Sequence, residues 1–347
     1  MTNKNSKCMV IAEIGLNHNG NYDLAEKSII AAAKAGADAV KFQNYNTEDF
    51  LSDKSILHKY KNEDRFIEEP LFDICKRSEF QKEWLPSLTS LAKSLGIIFL
   101  STPTSSAGID LLIKHGINYL KNGSDFLCHT PLLRHMASTG ANIIISTGMA
   151  YESDIDEAVD AILDIQPDKT KLTILHCTSS YPTSEDNVNL NKIISLRDRY
   201  KVNIGFSDHT EGWFSAIQAI SMGVSIIEKH FTLDKTLPGP DHWFSSNPEE
   251  FEELVFQIRL AEKRLGFKEL KPADSEMDDR KQWRLGLFWN RNMKVGETVV
   301  LKDIDIRKPS SDFAPKDLDI IIGKKVIMNS SKGDPVESLN ILKDSND

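Results

Sequence analysis

The sequence predicts an α/β protein in which a (β/α)8 TIM barrel is followed by a small β-rich domain. Short apolar runs alternate with longer segments of helical periodicity, a pattern typical of βα units around a parallel sheet. Eight strand-like runs and eight helical segments fit within residues 1–267, as a barrel requires. A charged linker is predicted at 268–283. Short apolar runs separated by Gly-containing turns then predict the second domain at 284–347.

The predicted strands and helices alternate in chain order. The strand-like runs are 9–15, 37–43, 96–101, 117–121, 142–147, 171–177, 203–208 and 225–230. The clearest helical segments between them are 22–36, 81–96, 153–165, 213–223 and 248–266. An open doubly wound sheet is the alternative, but it usually carries a G-x-G-x-x-G loop after its first strand. Residues 15–20 are GLNHNG, so the barrel is favoured.

Composition and charge argue against several classes of partner. The formal net charge of −9 argues against nucleic acid, because phosphate backbones attract basic surfaces. No apolar run approaches the roughly 20 residues that a membrane-spanning helix needs. The polar start MTNKNSK leads into a strand and not into a secretory signal. The four cysteines form no C-x-x-C pair, which favours reduced thiols and a cytoplasmic protein.

Polar side chains stand at the carboxyl end of almost every predicted strand, and these ends form the active-site face of a barrel. Side chains two residues apart on a strand point to the same side. Lys41 therefore shares a face with Gln43, and Glu228 shares one with His230. The polar residues at the strand ends are Glu13, Lys41, Gln43, Ser101, Thr102, Lys121, Ser124, Ser146, Thr147, His176, Ser207, Asp208, His209, Glu228 and His230.

His209 and His230 predict a divalent metal site. They end the seventh and eighth strands, which are neighbours in a barrel, so their imidazoles can converge on one ion. Two histidines with oxygen ligands and open positions suit Mn²⁺ better than a closed structural zinc. Mg²⁺ and Co²⁺ are the alternatives.

Lysines and hydroxyls at the same face predict an anion site, because cations and short donors bind phosphate. The candidates are Lys41, Lys121, Ser124, Thr147 and Ser207.

Each candidate also has a structural alternative. A lysine can extend its charged end to solvent, Glu13 can be a structural carboxylate, and His176 can be a hydrogen-bonded core histidine. Asp241, in the turn GPDHW, either orients a sugar hydroxyl or a metal-bound water, or bonds its own backbone.

Six motifs, in order along the barrel, carry a resemblance to a known family. They are IAEIGLNHNG (11–20), KFQ (41–43), ISTGMA (145–150), LHCTSSYPT (175–183), GFSDHTEG (205–212) and EKHFTLDKTLPGPDHWFS (228–245). Together they resemble the sialic acid synthases, the phosphoenolpyruvate-dependent nonulosonate synthases that make N-acetylneuraminate, legionaminate or pseudaminate. The domain at 284–347 resembles the antifreeze-like (SAF) domain of that family.

The resemblance implies a condensation of phosphoenolpyruvate with an open-chain N-acylated amino sugar and water, with release of phosphate. It implies that a metal at His209 and His230 polarises the sugar aldehyde, and that Glu13 and Glu228 handle protons. Lys121 is the catalytic lysine that it implies. The implied substrate-binding residues are Lys41, Gln43, Ser124, Thr147, Ser179, Tyr181, Ser207 and Asp241.

The chain departs from the family pattern at three places. In KNGSDFL the acid is Asp125, and Phe126 stands where the family commonly has glutamate. Asp125 is therefore a candidate for assisting the water step, and Phe126 favours a less polar pocket, as for a 6-deoxy, diacetamido sugar. Ser179 replaces an asparagine. Lys308, beside Arg307, takes the place of an arginine that reaches the partner's active site in the family's domain-swapped homodimer.

The predicted product is N,N'-diacetyllegionaminate or N-acetylneuraminate, with pseudaminate as the alternative. A metal-dependent pyruvate aldolase would use the same barrel and histidines without releasing phosphate. A Schiff-base aldolase would use Lys41 or Lys121. A non-catalytic sugar- or ice-binding protein is the alternative from another class, but it would have no use for two glutamates beside a metal pair.

Overall fold

The computed structural model describes residues 7–62 and 65–341. Its internal contacts divide the chain into two compact units, with the boundary between Gly266 and Phe267. Within the described residues, no helix combines the length and the apolar character needed to cross a membrane. The four cysteines are free thiols, of which only Cys128 is exposed.

The first unit is a closed barrel of eight parallel strands, surrounded by helices. Its strands are β1 (Met9–Gly15), β2 (Ala39–Asn44), β3 (Leu57–Asn62), β4 (Arg65–Pro70), β5 (Ile98–Pro103), β6 (Tyr119–Asn122), β7 (Asn142–Ser146), β8 (Leu172–Cys177), β9 (Asn203–Asp208) and β10 (Ile226–His230). All except β3 and β4 belong to the barrel, in the order β1-β10-β9-β8-β7-β6-β5-β2. The predicted (β/α)8 barrel is therefore confirmed, and each strand boundary lies within two residues of its prediction.

Helices follow the barrel strands as the sequence periodicity predicts. They are α1 (Tyr22–Lys34), α2 (Thr47–Phe50), α3 (Leu71–Arg77), α4 (Leu85–Ser94), α5 (Ser106–Lys114), α6 (Thr130–Ser138), α7 (Glu152–Leu163), α8 (Asn191–Tyr200), α9 (Phe214–Ser221) and α10 (Pro248–Leu265). Helix α10 has the strongest start signal. Asn247 accepts from the Glu250 backbone, the Glu250 carboxylate accepts from the Asn247 backbone, and Pro248 occupies the first turn.

The antiparallel hairpin of β3 and β4 has no counterpart among the predicted strands. Its side chains are mostly exposed, including Leu57 and Phe66, so the segment lacks the alternating pattern of a half-buried strand. Strand β3 lies against the 3₁₀ turn His242–Phe244, and the Lys61 ammonium lies 6.0 Å from the centre of the Trp243 ring. The hairpin therefore belongs to the carboxyl-end face of the barrel.

Apolar side chains fill the inside of the barrel and the layer between strands and helices. The inner cluster contains Ile11, Ala39, Leu100, Ile144, Leu175 and Ile226. Gly205 makes room for it, because a Cβ there would lie 2.4 Å from Leu175 Cδ2 and 2.8 Å from the Ile226 carbonyl oxygen. The interior is thus a packed core, and the chemistry is confined to its ends.

The second unit has a small apolar core of its own, built around Leu287, Trp289, Val299 and Val336. Its strands β11 (Gly286–Trp289) and β12 (Ile304–Arg307) pair antiparallel, and its helices are α11 (Met277–Trp283) and α12 (Leu318–Ile321). Helix α11 occupies part of the segment that the sequence predicts as a linker. The likeness of this unit to an antifreeze-like domain stays a prediction.

Candidate active site

The carboxyl ends of β1, β2 and β10 bring two carboxylates and a lysine together. Strand register places Glu13 beside both Lys41 and His230. Lys41 Nζ lies 2.9 Å from Glu13 Oε2 and 3.8 Å from Glu228 Oε2, and all three side chains are buried. Gln43 Nε2 donates to Glu13 Oε1 at 3.2 Å, which confirms that Lys41 and Gln43 share a face.

Lys121 is the second buried lysine of this face, and its partners are neutral. Its Nζ donates to Ser146 Oγ at 2.5 Å and to the Asn122 carbonyl oxygen at 3.0 Å. Among the described residues it forms no direct ion pair with a carboxylate. Burial lowers the pKa of its ammonium group, and the charge of Glu228 offsets only part of that effect. A buried cation that no carboxylate contacts is suited to bind an anionic ligand. We call Glu13, Lys41, Lys121 and Glu228 the charged cluster.

The two carboxylates of the charged cluster have opposite electrostatic environments. Burial alone would raise the pKa of Glu228, but Lys121, Lys41 and a hydrogen bond from Ser207 Oγ at 2.9 Å lower it to about 2. Burial raises the pKa of Glu13, and the negative charge of Glu228 adds to that effect against Lys41. Glu228 is therefore a permanent anion, whereas Glu13 is the carboxylate suited to hold a proton.

His209 and His230 meet at the ends of β9 and β10, with ring centroids 5.4 Å apart. His209 Nδ1 donates to the Thr178 carbonyl oxygen at 2.8 Å, which leaves Nε2, 3.4 Å from Ser207 Oγ, as the nitrogen with a lone pair. His230 Nδ1 is buried without a hydrogen-bond partner, 3.8 Å from Asp241 Oδ2. Burial and the neighbouring His209 lower the pKa of His230 well below its usual value, so its imidazole is neutral.

These two histidines fit an open metal site and not a closed one. Neutral imidazole is the form that binds metals, and an unpartnered buried nitrogen on His230 is what such a ligand would show. Among the described residues, no group of three or more His, Cys, Asp or Glu side chains could hold an ion. The protein would thus supply two nitrogens and leave the other positions to water or substrate oxygens. Burial lowers the pKa of His209, but Cys177 and Thr178 raise it above its usual value. An ion there would therefore compete with a proton.

An aromatic wall stands beside the histidine pair. The Tyr181 ring lies 4.2 Å from the His209 ring and 5.6 Å from the His230 ring, measured between centroids. Phe244 packs against both Tyr181 and His230. The side chain of Tyr181 is partly exposed, so this wall borders the opening of the site.

The hydroxyl groups of Ser124 and Ser179, both predicted to bind the anionic substrate, lie close to Gly148. Ser124 Oγ accepts from the Gly148 N–H at 2.9 Å. A Cβ on Gly148 would lie 2.1 Å from Ser179 Oγ and 2.8 Å from Ser124 Oγ, so only glycine lets both hydroxyls approach. Thr147 Oγ1 instead donates to the Leu175 carbonyl oxygen, and Ser207 donates to Glu228. Those last two hydroxyl hydrogens are therefore used within the protein.

Asp241 stands beside His230, on the loop after β10. Ser245 Oγ donates to the Asp241 carbonyl oxygen at 2.6 Å, which holds this turn. Burial, and then the charge of Glu13, raise the pKa of Asp241 to about 7. The side chain is 20 % exposed, so it can meet a ligand.

Three other predicted positions lie outside the charged cluster. Asp125 is exposed and folds over Gly123. His176 is a core residue, with its Nε2 hydrogen-bonded to the Val188 carbonyl oxygen and its ring stacked on Phe206. Lys308 belongs to the second unit, where its ammonium lies 4.9 Å from the centre of the Trp283 ring.

The sequence reasoning missed two elements of this face. It used NHNG to reject a dinucleotide loop and as part of a family motif but gave its asparagines no role, yet Asn17 Nδ2 donates to the Phe231 carbonyl oxygen and to Ser245 Oγ, both at 2.9 Å. Asn19 Nδ2 donates to the Pro238 carbonyl oxygen at 2.8 Å. The loop after β1 therefore holds the loop that carries Asp241. The position of two asparagines directly after a strand was the available signal. The second missed element is the buried pair Lys229–Asp208.

Comparison with known proteins identifies the family of the chain. A model of the NeuB family matches residues 28–270. The N,N'-diacetyllegionaminic acid synthase of Legionella pneumophila is 38% identical over 328 residues, covering 94% of this chain and 92% of its own. The pseudaminic acid synthase of Campylobacter jejuni is 32% identical over 345 residues, covering 96% and 97%.

A solved structure supports the same assignment. The N-acetylneuraminic acid synthetase of Leptospira borgpetersenii superposes with a TM-score of 0.71 at 35% identity, covering 79% of this chain and 90% of its own. The resemblance to the sialic acid synthases is thereby confirmed. The chain belongs to the NeuB family and is an enzyme of the nonulosonate synthase class.

Proposed function

We propose that the protein condenses phosphoenolpyruvate with an N-acylated amino sugar aldehyde and water, releases phosphate, and makes N,N'-diacetyllegionaminate or N-acetylneuraminate. One observation carries the proposal most directly. Lys121 is a buried cation at the barrel end where substrates bind, and among the described residues no carboxylate contacts its ammonium group, although the charge of Glu228 is near enough to act on it. A substrate with a carboxylate and a phosphate would supply the missing negative charge.

The residues of the charged cluster would have different roles in the reaction of phosphoenolpyruvate: the lysines bind it and Glu13 transfers protons. Lys121 and Lys41 would bind its anionic groups, and the convergent hydroxyls of Ser124 and Ser179 would add short donors. The enol carbon forms a bond to the aldehyde carbon, and the aldehyde oxygen takes up a proton. Water adds to the former enol-ether carbon and loses a proton, and the bond from that carbon to the phosphate oxygen breaks. Glu13, which can be protonated, is the group suited to these transfers.

His209 and His230 would hold a divalent ion, for which we propose Mn²⁺ before Mg²⁺ or Co²⁺. When bound, such an ion supplies Lewis-acid polarisation of the aldehyde oxygen. The histidines themselves orient that end of the site, because the Thr178 carbonyl oxygen holds the His209 ring and Tyr181 packs on both rings.

The sugar would lie between Gln43, Tyr181 and Asp241, which surround the histidine corner. Phe126 supports the diacetylated, 6-deoxy substrate. Its ring lies 6.2 Å from that of Phe50 and stacks on His129, so an apolar side chain stands where the family commonly has a glutamate. Pseudaminate remains the alternative product, and the similarity to a pseudaminic acid synthase is the observation that favours it. The exposed Asp125 would assist the addition of water to the former enol-ether carbon.

Two further proposals rest on the family resemblance. The enzyme would be cytoplasmic, because that is where phosphoenolpyruvate is made. It would also act as a domain-swapped homodimer, with Lys308 or Arg307 in place of the family's arginine. Size-exclusion chromatography with light scattering tests the dimer, and a monomer at micromolar concentration would contradict it.

The test of the reaction is phosphate release from phosphoenolpyruvate by the purified full chain with Mn²⁺. N-acetylmannosamine, the 6-deoxy diacetamido mannose and its altrose isomer would be supplied in parallel. We expect release that requires a sugar, is fastest with the diacetamido mannose, and falls by about a thousandfold in His230→Ala. The matched control is His135→Ala, since His135 pairs with Asp110 at the surface. It should keep full activity.

The result separates the synthase from the aldolases. No phosphate with any of the three sugars would contradict the proposal. Product formation from pyruvate without phosphate release would favour the metal-dependent aldolase. A borohydride-trapped adduct would favour the Schiff-base mechanism.

A further inference from the structure

A buried ion pair lies directly behind the two histidines. Lys229 precedes His230 on β10, Asp208 is the last residue of β9 and precedes His209, and Lys229 and Asp208 are register partners across these strands. Lys229 Nζ lies 2.8 Å from Asp208 Oδ2, and the two side chains are 3% and 0% exposed. Because neighbouring residues on a strand point to opposite faces, the pair occupies the helix side of the barrel, whereas Ser207, Glu228 and His230 face the site.

The ion pair also holds the main chain that follows His209. Lys229 Nζ donates to the Thr210 carbonyl oxygen at 2.6 Å. Asp208 Oδ1 accepts from the Thr210 N–H at 2.9 Å and from Thr210 Oγ1 at 2.7 Å. Both backbone groups of Thr210 are thereby fixed to the pair. The Thr183 N–H, which donates to the His209 carbonyl oxygen at 2.8 Å, holds the same peptide from the neighbouring loop.

Stability alone does not account for this arrangement. Desolvating two charges can offset their attraction, and a well-packed apolar pair in the same space is often as stable. What an apolar pair cannot reproduce is the directional link from one strand end to the other. The link spans β9 and β10 one residue before each histidine, where a small slip would change the distance between the two imidazoles.

We propose that Lys229 and Asp208 are positioning residues that set the spacing of His209 and His230, and with it the affinity of the site for a divalent cation. The inference rests on the proposed function in one respect, the use of this histidine pair as metal ligands. Neither Lys229 nor Asp208 touches substrate or ion. They act through the backbone of the two strand ends.

The test is Mn²⁺ binding to the full chain, measured by electron paramagnetic resonance of the free aqueous ion, together with thermal unfolding. The informative variant is the double substitution Lys229→Met with Asp208→Leu, which removes both charges and leaves neither one buried alone. We expect a folded protein with a lower melting temperature, because Thr210 loses its hydrogen bonds to the pair, and with Mn²⁺ affinity at least tenfold weaker. Higher Mn²⁺ should restore part of the phosphate release. Unchanged Mn²⁺ affinity in the folded double variant would overturn the proposal.

Two further variants keep the test decisive. Arg259→Met breaks ion pairs at the opposite end of the barrel, so it should lower the melting temperature and leave Mn²⁺ affinity unchanged. If the double variant does not fold, Thr210→Val removes only the 2.7 Å hydrogen bond to Asp208. It should weaken Mn²⁺ binding about threefold, and wild-type affinity in that variant would then overturn the proposal.

The same measurements distinguish this inference from the proposed function. A wild-type protein that binds no Mn²⁺ would overturn the positioning proposal. The synthase proposal would still be decided by phosphate release with other divalent ions.

Discussion

The two ends of the barrel both carry charged side chains, but they use them differently. At the amino end, Asp38 accepts from Arg259, from Lys7 at 2.6 Å and from the Val10 N–H at 2.8 Å. Arg259 also pairs with Glu262 at 3.1 Å, and these groups are about a quarter exposed. At the carboxyl end, the charged cluster is almost fully buried, and Lys121 forms no ion pair among the described residues.

The difference between the two ends shows how a network of charges that stabilises the fold can be distinguished from one that binds a ligand. The amino-end charges meet opposite charges beside water, and the polar groups that line that end bond to one another, as Asn203 does to the Thr170 carbonyl oxygen. At the carboxyl end Lys121 is desolvated with no carboxylate in direct contact, and His230 Nδ1 and Glu228 Oε2 have no hydrogen bonds. Unmatched burial of this kind indicates a place that a ligand completes.

The largest expected effect comes from removing the unpaired cation. Lys121→Met should reduce phosphate release by at least about a thousandfold. It should leave the melting temperature unchanged or raise it, because a desolvated charge that no carboxylate contacts is replaced by an apolar side chain of similar length. Arg259→Met should do the opposite, with activity retained and stability reduced. Steady-state kinetics and thermal unfolding check both, and a large stability loss in Lys121→Met would break the comparison.

The second prediction concerns acid sensitivity at the carboxyl end. His18, in the loop after β1, is fully buried among Phe42, Phe80 and Trp84, and burial lowers its pKa to about 4. The unfolded state therefore binds the proton first as pH falls below about 6.5. Stability should then decrease between pH 6.5 and 4 by about 3 kcal/mol from this residue.

His18→Leu isolates that contribution. The free energy of unfolding of the variant should fall less steeply with decreasing pH than that of the wild type, as measured by urea denaturation across the range. His135→Gln, at an exposed histidine, is the matched control and should keep the wild-type slope. Identical slopes for His18→Leu and wild type would show that His18 carries no such linkage.

A smaller effect on activity is expected at Gly148, whose missing side chain leaves room for the hydroxyl groups of Ser124 and Ser179. Gly148→Ala should displace Ser124 and Ser179 and raise KM for phosphoenolpyruvate about tenfold, with little loss of stability, because side-chain hydroxyls can move. Gly205→Ala meets the Ile226 backbone instead and should reduce the free energy of unfolding by about 1–3 kcal/mol. An unchanged KM in Gly148→Ala would contradict the placement of those hydroxyls at the anion site.

The smallest effect is expected at the amino end. Lys7 is 58% exposed and pairs with Asp38 at the surface, so Lys7→Gln should change the free energy of unfolding by less than about 0.5 kcal/mol. Activity should be unaffected. A change above 1 kcal/mol would show that this network contributes more than exposed ion pairs usually do.

Most of the barrel could be predicted from the sequence because its strands are short, apolar and regularly spaced. The hairpin of β3 and β4 could not be predicted, because Leu57 and Phe66 are exposed and its strands do not alternate between buried and exposed residues. Helix α11 was missed for a similar reason: its residues are exposed, so a charged segment resembled a linker. The strand-end chemistry was predicted residue by residue, because position along a barrel strand determines which side chains face the site.

By itself, the sequence determined the barrel, the identity of the charged and imidazole groups at its carboxyl end, and the family to which the motifs belong. These follow from periodicity and from the order of residues along each strand, which are local properties. Only the tertiary structure decided that Lys121 lacks an ionic partner, that Glu13 and Glu228 are driven to opposite protonation behaviour, and that Lys229 and Asp208 lock the strands behind the histidines. Those properties depend on burial and on distances between residues far apart in the chain, and the closure of the barrel sets both.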